Sequence, residues 1–243
     1  MPFDHWQSCK EIIRHVLLRL NSQAVIDVIR RKRGRYTGHL NISHLDQVFS
    51  DIYQSRAWIE HEGQESLSGA GSTAAATQTI AIELSRFLKN TGCKRLVDIG
   101  CGDFNWMQNV DGDFEYLGID IVPSLIEQNN AVHGNAKRRF ICMDATKHPI
   151  EPWGEVVICR EVLFHLSLAN AKALLHHIKS AGFRDVLLTT DNSIWFNSDI
   201  RDGDFRRINL MRYPFNLPPP RMAFEDGMVS DGRVLALWSA SAL

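Results

Sequence analysis

A glycine-containing turn near the middle of the chain has the residue types needed to hold a nucleotide-like ligand. The apolar run Leu96–Ile99 predicts a buried parallel strand, and Gly100 and Gly102 follow it directly. Glycine lets the backbone turn sharply there and approach a ligand without interference from a Cβ atom. A second apolar run ends in Asp120, twenty-two positions after Asp98. An acid at the end of a second strand can bind both hydroxyls of a ribose, so the spacing predicts a nucleotide-like cofactor.

Three further apolar runs also end in polar residues. Asp144, Arg160 and Asp191 each follow a segment that reads as a buried strand. Ligands of an open parallel sheet bind beyond the carboxyl ends of its strands, so five successive polar strand ends predict one continuous site. A single Gly-x-Gly turn can serve the geometry of a turn alone, and the repetition of polar strand ends is therefore the stronger argument.

At these positions the chain resembles the class I S-adenosylmethionine (SAM)-dependent methyltransferases. Their first motif is an acid-x-Gly-x-Gly-x-Gly turn, matched by Asp98, Gly100 and Gly102, with Phe104 in place of the third glycine. Asp103 puts a carboxylate where the pyrophosphate of a dinucleotide would bind, which disfavours NAD and suits a cofactor with an ammonium and a sulfonium. The resemblance covers roughly residues 66 to 243. It looks similar to a bacterial subgroup with Gly-Asp-Phe-Asn-Trp-Met at 102–107, Asp-Ile-Val-Pro at 120–123 and Leu-Phe-His-Leu at 163–166.

This resemblance implies an α/β fold with a doubly wound, seven-stranded sheet in the order 3-2-1-4-5-7-6, whose last strand is antiparallel. It also implies SAM as the cofactor. The cofactor-binding residues expected from it are Ser72, Asp98, Gly100, Gly102, Asp103, Phe104, Asp120, Ile121, Asp144, Ala145 and Arg160.

The segment that follows the fourth predicted strand contains two candidates for catalysis, His165 and Arg160. Methyl transfer from a sulfonium is an in-line displacement, which needs a base only if the nucleophile must lose a proton. His165 is the candidate base, because an imidazole pKa near 6.5 suits proton removal near neutrality. A histidine between Phe164 and Leu166 can instead simply bond a backbone carbonyl. Arg160 can bind the methionyl carboxylate, anchor the substrate or pair with Glu161.

A long polar and aromatic insertion at residues 191–220 follows the fifth predicted strand. Loops after parallel strands set specificity on a fixed scaffold, so we expect the insertion to bind the substrate, although an ordinary polar loop has a similar composition. The expected substrate-binding residues are Trp195, Asn197, Asp199, Arg206 and Asn209.

A Mg²⁺ site is an alternative at the ends of neighbouring strands. Oxygen atoms of Glu161, Asp191 and Asn192 could hold the ion and lower the pKa of a substrate hydroxyl, as in catechol-type methyltransferases. Asp-Asn is also a common turn dipeptide. We therefore expect no metal in the site.

The hydrophobic pattern of the sequence changes at residue 62. Residues 1–62 form a predicted helical appendage, with an apolar helix face that includes Ile12 and Val16, and residues 63–243 form the predicted methyltransferase domain. The appendage contains a basic run at 30–35, which can bind phosphate or be the solvated end of a helix. The segment 69–73 is expected to fold over the methionine end of the cofactor, with Ser72 or Thr73 capping the next helix.

Composition limits the classes of partner. A chain of 243 residues with 44% hydrophobic content fits one α/β domain with an appendage. The net charge of −1 gives no global reason to expect nucleic acid or a membrane as a partner. Five cysteines without a C-x-x-C pair, and no apolar run long enough to span a membrane, predict a soluble cytoplasmic protein with reduced thiols.

Three functions follow from these patterns. The first is a methyltransferase that acts on an O or N atom of a small polar molecule. The second is an RNA methyltransferase that uses the basic run, although strand four is followed by Arg-Glu-Val and not by the Asn/Asp-Pro-Pro-aromatic pattern of enzymes that methylate base amines. The third is a SAM-binding scaffold without catalysis, in which the N-terminal helices contact a partner.

Overall fold

A seven-stranded sheet in the order 3-2-1-4-5-7-6 lies at the centre of the protein. The structure, a computed structural model, describes residues 17, 23–59, 61–226 and 232–243. Strands β1 to β5 are parallel, and β7 is antiparallel to both of its neighbours, so the predicted strand order and direction are confirmed. The strands are β1 (Arg95–Ile99), β2 (Glu115–Asp120), β3 (Arg138–Cys142), β4 (Val156–Cys159), β5 (Asp185–Asp191), β6 (Met222–Glu225) and β7 (Arg233–Ser239).

Five α-helices are described around this sheet. None of the described helices is both long and apolar enough to cross a membrane. The predicted apolar helix face at Ile12 and Val16 lies outside the described residues. The helices are α1 (Gln23–Lys32), α2 (Leu45–Gln54), α3 (Ala74–Thr91), α4 (Pro123–His133) and α5 (Leu168–Ser180).

The central strands are apolar on both faces because helices cover both faces of the sheet. Successive side chains of a strand point to opposite faces. In β1, Leu96 accordingly packs in one hydrophobic cluster with α3, and Val97 packs in a second cluster with α2 and α5. Every residue of β4 is buried. This double covering explains why these strands read as continuous apolar runs in the sequence.

Hydroxyl side chains cap the two helices that flank the candidate site. The Thr73 hydroxyl accepts a hydrogen bond from the backbone N–H of Ala76 and begins α3, so Thr73, and not Ser72, is the cap. Ser167 caps α5 in the same way as predicted, accepting from the N–H of Asn170 at 3.3 Å. Ser72 is thereby left in the loop that precedes α3.

Helix α2, which belongs to the predicted appendage, is part of the main hydrophobic core. Its residues Leu45, Val48 and Ile52 are buried in the same cluster as Ile99 and Ile119 at the carboxyl ends of β1 and β2. The division predicted at residue 62 therefore does not divide the hydrophobic core. Instead, α2 covers the end of the sheet at which a ligand is expected.

Candidate functional site

A cavity opens beyond the carboxyl ends of β1, β2 and β4. Ligands of open α/β sheets bind at this end of the strands. The candidate base His165 lines the cavity. So do the following residues of the predicted cofactor set: Ser72, Gly100, Gly102, Asp103, Asp120, Ile121, Asp144, Ala145 and Arg160.

The turn after β1 is tied to the end of β2. Gly100 and Gly102 both have positive φ angles, +73° and +56°. The backbone N–H of Gly102 donates to Oδ2 of Asp120 at 2.9 Å. A Cβ atom on Gly100 would lie 2.2 Å from Cγ2 of Val162, and one on Gly102 would lie 2.4 Å from Oγ of Ser68. Glycine is therefore required here by the packing of the protein itself as well as by any approach of a ligand.

Asp120 presents a buried carboxylate at the end of β2. One oxygen accepts from Gly102, and the other accepts from the N–H of Val122 at 3.0 Å. Burial raises the pKa of Asp120, and the backbone donors oppose that rise. Each carboxylate oxygen has two acceptor positions, so Asp120 keeps acceptor capacity for two hydroxyls of a ligand.

Asp144 occupies the corresponding position after β3. Its Oδ1 accepts from both the N–H and the hydroxyl of Thr146, and Lys147 lies 3.0 Å from its Oδ2. Burial alone would raise the pKa of Asp144, but the hydrogen bonds from Thr146 and Lys147 outweigh it and lower that pKa. Asp144 is thus held as a carboxylate at the cavity wall, next to Ala145.

Asp103 lines the cavity, but its oxygens already hold the loop that precedes α3. They accept from the hydroxyls of Ser66 and Ser68 at 2.9 and 3.0 Å, and from the backbone N–H of Leu67 at 2.6 Å. The sequence predicts that this carboxylate faces a cationic cofactor. In the structure its first role is to fix residues 66–68 over the glycine turn.

Two predicted cofactor residues do not line the cavity. Asp98 accepts a hydrogen bond from the Tyr116 hydroxyl at 2.7 Å, and burial raises the pKa of Asp98 to about 7. Phe104 packs edge-on against Tyr116 and Phe140 in the core, with a φ of +58°. Both residues lie behind the glycine turn and support it from the core side.

Arg160 is buried between two elements of the cavity wall. Its Nε and Nη2 donate to the two carboxylate oxygens of Asp226 at 3.0 and 2.8 Å, and Nη2 also donates to the carbonyl of Gly71 at 2.9 Å. The guanidinium lies over the ring of Trp106, 5.1 Å from its centroid. The predicted partner Glu161 instead accepts from Arg233 at 2.9 Å. Nη1 of Arg160 has no hydrogen bond to a described residue, so it is the nitrogen left for a ligand.

His165 is held in one orientation by three contacts. Its Nδ1 lies 2.9 Å from the carbonyl oxygen of Asp204, and its ring packs between Trp58 and Phe205, with centroids at 4.6 and 5.5 Å. A carbonyl can only accept, so Nδ1 carries the hydrogen and Nε2 keeps its lone pair. Burial lowers the pKa of His165 to about 4, so the imidazole is neutral at pH 7.

The predicted substrate residues of the insertion do not line the cavity. Trp195 is 85% exposed on the surface. The others bond within the insertion or to its neighbours: Asn197 donates to the carbonyl of Asn209 at 2.9 Å, and Asp199 accepts from the N–H at the start of α5. Arg206 is buried and donates to three carbonyls, and Asn209 bonds to the carbonyl of Ile194. These residues stabilise the insertion. Their predicted contact with a substrate has no support from the geometry of the cavity.

The two carboxylates of the alternative metal site are engaged in ion pairs. Glu161 pairs with Arg233, and Oδ2 of Asp191 lies 3.2 Å from Arg207. Within the described part of the chain, no group of three or more His, Cys, Asp or Glu side chains could hold a metal ion. The arrangement does not favour a divalent cation at this end of the sheet.

Sequence patterns missed several residues of the cavity wall. Phe49, Tyr53 and Trp58 reach the cavity from α2 and the segment after it, which the sequence assigns to the appendage. The Tyr53 hydroxyl lies 2.8 Å from Oγ of Ser68, so the appendage is hydrogen-bonded to the loop that Asp103 holds. Trp106 belongs to the Gly-Asp-Phe-Asn-Trp-Met motif and is therefore recognisable from the sequence, whereas no local signal marks Trp58.

The fold is that of the class I SAM-dependent methyltransferases. No protein-family model and no curated protein sequence matches the chain, but solved structures resemble it. Magnesium protoporphyrin IX methyltransferase from Synechocystis PCC 6803 with bound SAM superimposes with a TM-score of 0.58 at 12% identity, over 81% of this chain and 97% of that one. Human N-acetylserotonin methyltransferase in complex with SAM gives 0.58 at 12% identity, over 87% and 64%. The N-methyltransferase NodS from Bradyrhizobium japonicum WM9 gives 0.52 at 12% identity, over 68% and 96%. Identities this low show the shared fold alone, and the narrower resemblance to one bacterial subgroup stays a prediction.

Proposed function

We propose that the chain binds SAM in this cavity and transfers its methyl group to an O or N atom of a small polar molecule. The observation that carries the proposal is the pairing of the Gly100–Gly102 turn with Asp120. A backbone without Cβ atoms lies beside a buried carboxylate that retains acceptor capacity. Solved structures with the same fold were determined with bound SAM, which supports the same ligand here.

The polar groups of the cavity fit the parts of such a cofactor. Asp120 would accept hydrogen bonds from the two ribose hydroxyls. Asp144, beside the apolar side chains of Ile121 and Ala145, would accept from the exocyclic amine of adenine. Nη1 of Arg160 would donate to the methionyl carboxylate. When bound, the cofactor supplies an electrophilic methyl group on a sulfonium.

His165 is the residue best placed to take a proton from the acceptor. Its Nε2 is unprotonated at neutral pH because Nδ1 bonds to Asp204 and because burial lowers the pKa to about 4. A base with so low a pKa does not deprotonate an alcohol or an ammonium ahead of the reaction. It instead accepts the proton that a hydroxyl or a neutral amine loses as its O or N atom attacks the methyl group.

The RNA alternative has less support from the geometry. Arg30 in the basic run is paired with Asp204, and Arg30, Arg31 and Lys32 form the last turn of α1, where cations are favoured by the helix dipole. This matches the interpretation of the run as a helix end. The non-catalytic scaffold would bind SAM in the same cavity, without proton transfer by His165 and with a partner on the N-terminal helices.

Calorimetric titration of the purified chain tests the proposal directly. We expect saturable one-to-one binding of SAM and of its demethylated product S-adenosylhomocysteine (SAH), and no binding of NAD at the same concentrations. Binding of NAD but not SAM would refute it. SAM binding without turnover of any acceptor in a broad panel of small phenols and amines would favour the scaffold.

A further inference from the structure

The ionisable residues that line the cavity are mainly acidic. Four of them are carboxylates, namely Asp103, Asp120, Asp144 and Glu161, and Arg160 is the one Lys or Arg side chain among the described lining residues. Arg160 is bound through two nitrogens to Asp226. In the proposed function its third nitrogen binds the carboxylate of the cofactor. No described cationic side chain of the wall is then left to bind a carboxylate or phosphate on the acceptor.

The charges that face the cavity do not cancel. Lys147 lies 3.0 Å from Asp144, and Arg233 lies 2.9 Å from Glu161, so each of these carboxylates has a cationic partner outside the wall. Asp103 has no ion-pair partner among the described residues. The cavity therefore carries a negative potential, and an anion brought into this buried space is repelled more strongly than it would be in water.

Aromatic rings also line the cavity. Trp58 packs edge-on against Tyr53 and Phe49, with ring centroids 5.5 and 6.1 Å away, and all three line the cavity. Trp106 lines it as well. Flat apolar groups pack well on such rings, and a cation near a ring face is attracted by the ring quadrupole. The wall therefore favours a flat acceptor that is uncharged or positively charged.

Glu161 is the lining carboxylate that neither the cofactor nor a loop uses. Its backbone is held in the left-handed region at φ +66°, with its N–H donating to Oγ1 of Thr189 at 2.9 Å. Its Oε2 accepts from Arg233, whereas its Oε1 is buried with no donor among the described residues. A buried carboxylate oxygen without a donor is unfavourable. The side chain of Glu161 is 19% exposed, so a rotation of its carboxylate would present an acceptor oxygen to an N–H or O–H group on a ligand. A non-glycine residue in this backbone conformation is uncommon and often has a functional reason.

We infer that the acceptor is an uncharged or cationic molecule with a flat ring and an N–H or O–H donor, and that Glu161 selects it against anionic analogues. This inference rests on the proposed function. Glu161 balances the charge of Arg233 at the cavity wall. Its loss would leave a buried cation there, and the preference would shift towards anions.

Matched pairs of small probes test the inference on the SAH-saturated protein. Tyramine is compared with 4-hydroxyphenylacetate, and tryptamine with indole-3-acetate, each by calorimetric titration. We expect each amine to bind at least about tenfold more tightly than its carboxylate partner, which is the size of one hydrogen bond to a charged group. In Glu161→Gln the ratio of amine affinity to carboxylate affinity should fall by about tenfold or more, with SAH affinity unchanged.

Two further variants make the comparison specific. Glu161→Asp keeps the charge and should retain the preference for amines. Glu151→Gln makes the same chemical change on an exposed side chain and should leave the ratio as in the natural chain. Circular dichroism establishes that each variant is folded. If Glu161→Gln is not folded, the ratio of amine affinity to carboxylate affinity in the natural chain and in Glu161→Asp tests the inference instead.

The outcomes separate the inference from the proposed function. If SAH binds and the carboxylates bind as tightly as the amines, or if none of the four probes binds at millimolar concentration, the inference is overturned and the proposed function stands. An unchanged ratio in folded Glu161→Gln removes Glu161 as the selecting residue. If SAH itself does not bind, the proposed function fails, and the inference fails with it.

Discussion

The indole ring of Trp58 packs on the imidazole of His165, with ring centroids 4.6 Å apart. Trp58 lies just after α2, in the segment that the sequence assigns to an appendage, whereas His165 follows β4. The contact places a side chain from the N-terminal part of the chain directly against the candidate base. The site is therefore assembled from both predicted units, and residues 45–58 form part of its wall.

Replacement of Asp120 should weaken cofactor binding. We expect Asp120→Asn to lose about 1.5–3 kcal/mol of SAH binding free energy, the value of hydrogen bonds to a charged group, which is roughly a ten- to hundredfold rise in Kd. The measurement is calorimetric titration, with circular dichroism as a check on the fold. Asp113→Asn is the matched control, because Asp113 is exposed on the surface at 75% and pairs there with Lys94 and Lys137. An SAH affinity equal to that of the natural chain would remove Asp120 from the cofactor site.

Gly102→Ala should impair SAH binding more than Gly182→Ala. Both glycines have positive φ, which costs about 1–2 kcal/mol for an alanine. A Cβ on Gly182 meets nothing within 4 Å, whereas one on Gly102 would lie 2.4 Å from Oγ of Ser68 and 3.2 Å from the Tyr53 hydroxyl. Gly182→Ala thus isolates the backbone strain. Chemical denaturation and SAH titration of both variants separate strain from displacement of the loop, and equal SAH affinities would contradict the prediction.

The titration of His165 should contribute to stability in a defined pH window. Burial lowers the pKa of His165 to about 4 in the folded protein, while an unfolded chain has a value near 6.5. The unfolded state therefore binds the proton first as the pH falls. The contribution of this site to the free energy of unfolding is complete above pH 6.5 and is lost progressively towards pH 4, at up to about 1.4 kcal/mol per pH unit.

Denaturation curves at several pH values check this expectation. His165→Asn should flatten the loss of stability between pH 6.5 and 4 relative to the natural chain. His176→Asn changes an exposed histidine and should leave the loss as it is. A parallel fall in His165→Asn and in the natural chain would show that His165 is readily protonated in the folded protein.

The basic run should divide into one structural cation and several solvated ones. Arg30 pairs with Asp204, whose carbonyl accepts from His165, whereas Arg33 is exposed. We expect Arg30→Gln to lower the free energy of unfolding by about 1–3 kcal/mol, because it leaves the buried Asp204 carboxylate without this cation. Arg33→Gln should have little effect. Equal effects of the two variants would contradict this division of the run.

Replacement of all five cations of the basic run by glutamine tests the RNA alternative by salt titration. Each phosphate that a protein neutralises adds about −0.7 to the log–log salt slope on a single strand and about −0.9 on a duplex. We expect only weak, non-specific RNA binding. Micromolar RNA binding at physiological salt that is lost when the run is replaced by glutamine would instead favour an RNA methyltransferase.

Local patterns in the sequence determined the sheet and the carboxyl ends of its strands. Strand order, the direction of β7 and the cap at Ser167 agree with the predictions. The existence of the strands and the cap depends on short-range signals, namely apolar runs of strand length, glycines after β1 and a hydroxyl residue before a helix, whereas the strand order is what the family resemblance implies. The positions of Asp120 and Asp144 at the cavity follow from the same signals, because the end of a parallel strand determines where its next residue lies.

Tertiary structure decided which polar side chains remain available to a ligand. Three acids lie near the same turn: Asp98, Asp103 and Asp120. Asp103 holds the loop of residues 66–68, and Asp98 accepts a hydrogen bond from Tyr116 in the core. Only Asp120 of the three keeps acceptor capacity for a ligand. Arginine is a residue type that suits substrate binding, but Arg206 donates hydrogen bonds to three backbone carbonyls instead. Buried polar groups must find partners, and those partners come from distant parts of the chain. Only the folded chain shows them, as it shows Trp58 against His165 across more than one hundred residues of sequence.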